Sequence, residues 1–130
     1  MLVACDAIPS DPAGTLASVR DRHEVRAGLV AGESAADEAR MEDVARAIAR
    51  DTGVDLDLTE ASAAHLVEAL DAGRIDVVVE TGTPWKSRVA LTPPLHPAEG
   101  GESAVRVAVR RGENRWLTRV SEVVRHEARP

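Results

Sequence analysis

Three short segments concentrate groups able to hold a small polar molecule: Ala31-Gly32-Glu33-Ser34, Glu60-Ala61-Ser62 and Glu80-Thr81-Gly82-Thr83. Each joins a carboxylate to a hydroxyl, and glycines in the first and third let the backbone approach a ligand closely. Helices starting at such segments would add free N–H groups aimed at an anion. A solute carrying both a carboxylate and an ammonium would meet partners of both signs. The same residue types also serve as ordinary helix caps and turn formers, residue by residue the commoner role.

Catalytic constellations are weaker. Asp55 with Asp57, or Glu60 with Glu80, would be the carboxylate pairs that acid/base chemistry needs, yet carboxylates alternating on a half-exposed strand are mainly solvating groups. Serines, histidines and aspartates occur without a nucleophile-elbow motif, and there is no glycine-rich phosphate loop. His23, His65, His96 and His126 lack metal-ligand spacing, and the single Cys5 excludes an internal disulfide and argues against structural zinc. Neither cofactor nor metal is expected, and the chain reads as a binding module, not an enzyme.

The elements that must position these groups belong to one compact domain, since 130 residues leave no room for a second. With 44% hydrophobic and 29% charged residues, the composition is that of a folded protein. Phe and Tyr are absent, so aliphatic residues fill the core; Trp85 reads as a partly exposed ligand or interface platform, whereas Trp116 lies at helical spacing and is expected inside. A net charge of −6 without a basic face or stacking aromatics argues against nucleic acid as partner. No apolar stretch approaches the roughly 20 residues that span a bilayer.

Along the chain, Asp11-Pro12 reads as the start of a short helix carrying Leu16 and Val19. His23 to Val30 alternates as a first strand. Met41, Val44 and Ile48 recur at helical spacing from about Ala35 to Thr52, with Gly53 placed for a left-handed cap. Val54 to Leu58 alternates as a second strand near an edge, and Ser62 opens a second amphipathic helix that Gly73 closes. Ile75 to Val79 is nearly all apolar, which suits a central strand. Val89 to Thr92 and Ser103 to Arg110 follow as strands, and Asn114 caps a last helix. This pattern predicts an α/β three-layer sandwich with a mainly parallel sheet. Right-handed crossovers put the first strand between the second and third, with a ligand site outside the carboxyl ends of the strands.

Leu66 to Val79, followed by Thr83-Pro84-Trp85-Lys86-Ser87-Arg88-Val89-Ala90-Leu91-Thr92-Pro93-Pro94, resembles the end of the first lobe in family-3 bacterial solute-binding proteins, the substrate-binding proteins of amino-acid-type ABC transporters. Val107 to Leu117 is similar to the segment in which that family's chain returns from its second lobe into a terminal helix. The resemblance implies one lobe of a type II periplasmic binding protein. Thr83 and Lys86 would then hold the solute's α-carboxylate, Lys86 standing where the family has Arg and Arg88 being able to substitute. Ligand-binding residues are accordingly expected at Gly32, Glu33, Glu80, Thr81, Gly82, Thr83, Trp85, Lys86 and Arg88.

Only His96 to Glu102 stands where the family inserts its second lobe, so a second copy is an expected way to complete the cleft. Leu2-Val3-Ala4-Cys5 looks like a lipobox, which implies lipidation of Cys5 and an extracytoplasmic, lipid-anchored protein of the cell envelope, or a cytoplasmic one if Met1 is the true start. Residues 1–22 form a lipobox-like segment and short helix, and 23–130 a single lobe. The expected partners are an amino-acid-like solute and an ABC permease; the alternative is an interaction module that keeps the lobe as scaffold without binding solute.

Overall fold

The computed structural model describes residues 10–32, 34–81, 89–92 and 105–127. In chain order the elements are α1 (Thr15–Arg22), β1 (Glu24–Val30), α2 (Ala35–Thr52), β2 (Asp55–Ala61), α3 (Ala63–Asp71), β3 (Val77–Thr81), β4 (Val89–Leu91), β5 (Val105–Arg110) and α4 (Asn114–Glu127). The strands form one sheet in the order β2-β1-β3-β5-β4. β1 pairs in parallel with β2 and β3, while β5 runs antiparallel between β3 and β4, so every strand but β5 points the same way. The expected place of β1 between β2 and β3 is the place observed. The run Val77-Val78-Val79 has no polar face to give to water, and β3 is buried along its whole length.

Side-chain alternation sorts the core into two layers. Val25, Ala27 and Leu29 of β1 and Val77 and Val79 of β3 face α1, α2 and α4, and the half-buried Leu56 and Leu58 of β2 pack on the same side. Val78 and Ala108 face α3 through Leu66, Val67 and Leu70. Helices thus cover both faces of a mainly parallel sheet, the three-layer arrangement expected. β1 and α3 come so close that a Cβ on Gly28 would sit 2.6 Å from a Leu66 methyl, so glycine is what lets this helix seat. β2 is an edge strand with Asp55 and Asp57 exposed, as solvating groups would be.

Several boundaries differ from expectation for identifiable reasons. α1 begins at Thr15, not at Pro12, because Asp11 to Gly14 closes a turn through Gly14 N–H to Asp11 C=O at 2.9 Å, with Pro12 at the position turns favour. The released Asp11 carboxylate instead accepts from Trp116 N at 2.8 Å and Leu16 N at 3.2 Å, serving the first turn of α4 as well as α1. Glu113, just before α4, reciprocates by accepting from Ala13 N, Thr15 N and the Thr15 hydroxyl at 2.7–3.0 Å. The two helices cap each other. His23 is not a strand residue but the left-handed C-cap of α1.

Below the amino-terminal ends of the parallel strands, Asp76 is 4% exposed and takes Arg22 at 2.6 Å, Arg26 Nη2 at 3.1 Å and the Arg26 backbone N–H at 2.8 Å. The Trp116 indole, fully buried as expected, donates to the Asp76 carbonyl at 2.9 Å. Burying this carboxylate is tolerable because every approach to it is a donor.

Candidate functional site at the carboxyl ends of the strands

The parallel strands finish together. Val30 of β1 lies in register with Ala61 of β2, and Ala31 N–H donates to the Ala61 carbonyl at 2.9 Å; on the other side Leu29 pairs with Val79, two residues short of the end of β3. The carboxyl ends of β1, β2 and β3 therefore lie along one rim. β2 and β3 run further than the sequence pattern indicated, so Glu60, Glu80 and Thr81 are strand residues.

Of the residues expected to bind, Gly32 is exposed in the turn after β1 with φ 91°, a conformation that favours glycine. Glu80 is buried on the α3 face, in register with Arg106 of β5, and Thr81 is buried as the last residue of β3 on the opposite face. Glu33, Gly82, Thr83, Trp85, Lys86 and Arg88 lie outside the described residues, as does Cys5. The hydroxyls of Ser34 and Ser62 serve as helix caps: Ser34 accepts from Asp37 N at 3.2 Å to open α2, and Ser62 from His65 N at 3.3 Å to open α3.

Glu60 and Glu80 do not form the acid/base pair that their positions would suggest. Glu60 shares the face of Leu56 and Leu58, whereas Glu80 shares that of Val78, so the sheet separates them. Glu60 meets Glu38 instead. The Glu60 carboxylate, first by its charge and then by a hydrogen bond, raises the pKa of Glu38, with smaller contributions from burial and from Glu42. Glu38 was not singled out by motif, although its partner was readable: Leu56 and Leu58 face α2, and Glu60 continues their side of the strand. A shallow hollow of about 290 Å³ lies beside it, lined by Ala35, Glu38, Ala39 and Glu42.

Away from the rim, a groove of about 550 Å³ runs between α2 and α4, with Arg50 and Arg119 paired to Glu127 and Asp51 at 3.5 and 3.2 Å. Among the described residues there is no cluster of three or more potential metal ligands, and no helix long and apolar enough to cross a membrane.

No family model matches the chain, and no curated protein matches it by sequence. Solved structures do. Domain 1 of the arginine-binding protein of T. maritima, in its arginine-bound form, superposes with a TM-score of 0.71 at 26% identity, covering 84% of this chain and 97% of that one. An amino acid ABC transporter substrate-binding protein from Streptococcus pneumoniae bound to L-arginine gives 0.69 at 11% identity, over 86% and 91%. An ancestral amino acid-binding protein, a precursor of cyclohexadienyl dehydratase, gives 0.72 at 14%, over 86% and 92%; at such identities the likeness is one of fold. The resemblance read from residues 66–94 and 107–117 is thus matched by structures of amino-acid-binding proteins, and the chain is built as a single lobe of that architecture.

Proposed function

We propose that the chain is a single-lobe solute-binding protein of the cell envelope that takes an amino-acid-like solute at the rim and serves an ABC-type importer. The observation that carries this reading is the superposition over nearly the whole of an isolated, arginine-bound first domain, a precedent for a lone lobe holding an amino acid. The fold supplies the rim; the charge on it points to a class of solute. Glu38 and Glu60 repel each other there, and a cationic side chain between them would relieve that repulsion. Thr83, Lys86 and Arg88 would take the α-carboxylate, with Gly32, Glu33, Glu80, Thr81, Gly82 and Trp85 shaping the notch. A second copy completes the cleft, Cys5 carries the lipid that holds the protein outside the cytoplasm, and residues 23–130 form the lobe.

Calorimetric titration with L-arginine, L-lysine and L-glutamate tests the proposal. The cationic amino acids are expected to bind, and at a hundredfold excess over the dissociation constant to stabilise the fold by about 2.7 kcal/mol. Lys86→Ala should abolish that gain. Absence of binding by any amino acid would leave the non-binding scaffold as the better account. Mass spectrometry of protein made with its native upstream region reads lipidation of Cys5 directly.

A further inference from the structure

A second polar cleft, of about 280 Å³, opens at the edge of the sheet opposite the rim, and its chemistry is the reverse of the rim's. Arg22, Arg26 and Arg110 reach it from α1, β1 and the end of β5, with the hydroxyl-bearing Thr15 and Ser18 on the wall formed by α1. Asp76 forms the floor. Arg26 donates to the Gly73 carbonyl at 2.8 Å, and Arg110 Nη1 lies 4.0 Å from where a Cβ on Gly73 would stand, so these two guanidiniums converge on one residue. Arg22 joins them through Asp76 at 2.6 Å.

Three guanidinium charges face two buried carboxylates, Asp76 and the nearby Glu113, and one positive charge stays unmatched. Arg22 and Arg26 are both oriented by Asp76, while the charge of Arg110 acts on Glu113, so the excess belongs to the three guanidiniums together. The side chains of Arg22 and Arg26 are 32% and 27% exposed, so N–H groups remain open to solvent in a cleft whose arginines are already held in place. Guanidiniums arriving from three elements, with the Ser18 hydroxyl beside them, offer donors in more directions than the two oxygens of a carboxylate can use. A tetrahedral oxyanion fits better.

We infer that this cleft binds a phosphate group, free or as the head of a small monoester, through Arg110 with Arg22, Arg26 and Ser18. The site is independent of solute binding at the rim. It is tested by titrating the full chain with inorganic phosphate at constant ionic strength, following backbone amide NMR signals, with glycerol 3-phosphate and acetate in parallel. Saturable shifts at Ser18, Gly73 and Arg110 are expected with phosphate, at least tenfold weaker ones with acetate, and at least tenfold weaker phosphate binding in Arg110→Gln. Arg125→Gln, on the exposed end of α4, should bind as the parent does. Equal or tighter binding of glycerol 3-phosphate identifies a monoester head; much weaker binding identifies the free anion. No saturable shift with either phosphate, or shifts that Arg110→Gln leaves unchanged, would overturn the assignment.

Discussion

The two ends of the sheet are built on opposite principles. At the amino-terminal edge each buried carboxylate is surrounded by donors: Asp76 by two arginines and a backbone N–H, Glu113 by two amides and a hydroxyl. At the carboxyl-terminal rim two exposed carboxylates, Glu38 and Glu60, are set against each other. The first arrangement holds elements distant in sequence in one geometry; the second leaves two like charges opposed, which raises the pKa of Glu38. Charge is thereby neutralised at one edge of the small domain and left opposed at the other.

If that division holds, substitutions at the two edges should differ sharply in cost. The largest effect is expected from Asp76→Ala, which strips two arginines and a backbone N–H of their acceptor; chemical denaturation should show a loss of about 3 kcal/mol, at the low end for a broken buried pair because the arginines are partly exposed. A loss below about 1 kcal/mol would erase the contrast.

Glu113→Ala is next, at about 1–2 kcal/mol, the scale of a lost helix cap. Burial pushes the Glu113 pKa up, but hydrogen bonds from Ala13 and Thr15 and the charge of Arg110 outweigh it and hold the carboxyl below its ordinary 4.5. A depressed acid contributes stability above its unfolded pKa and loses it as pH falls through the folded one, so acid unfolding of the parent should be steeper than that of Glu113→Gln.

At the rim the sign reverses. Glu38 has a raised pKa, so the fold gains from its protonation, and the parent's disadvantage relative to Glu60→Gln should shrink as pH drops through that value. Glu60→Gln should leave the denaturation midpoint near neutral pH almost unchanged, while NMR titration shows the Glu38 pKa moving down toward its ordinary value. A Glu38 that titrates identically in both proteins would mean the two carboxylates do not interact.

Much of the scaffold was legible because it rests on local pattern. α2 covers Ala35 to Thr52 with Gly53 as its left-handed cap, as the apolar spacing and the glycine required. The central place of β3 followed from a run with no polar side. What escaped was long-range. Nothing around Asp76 distinguishes it from an exposed strand aspartate until Arg22 and Arg26, more than forty residues earlier, are folded against it. Asp11 read as the cap of its own helix because proximity in sequence is the only information a local signal carries; the shorter of its two side-chain bonds goes to Trp116. At the rim, Gly32 lies in the turn after β1 as expected, but Glu80 and Thr81 fall inside β3, and the meeting of Glu38 with Glu60 depends on how α2 crosses the edge strand, which no spacing rule specifies.

The mutual capping of α1 and α4 also extends to the residues that lead into α1. Ser10 accepts from the amides of Asn114 and Arg115, and Asp11 from that of Trp116, so the chain enters the lobe bound to α4, at the edge remote from the carboxyl ends of the parallel strands. Ser10 and Asp11 are thereby tied to the terminal helix before the chain reaches any parallel strand.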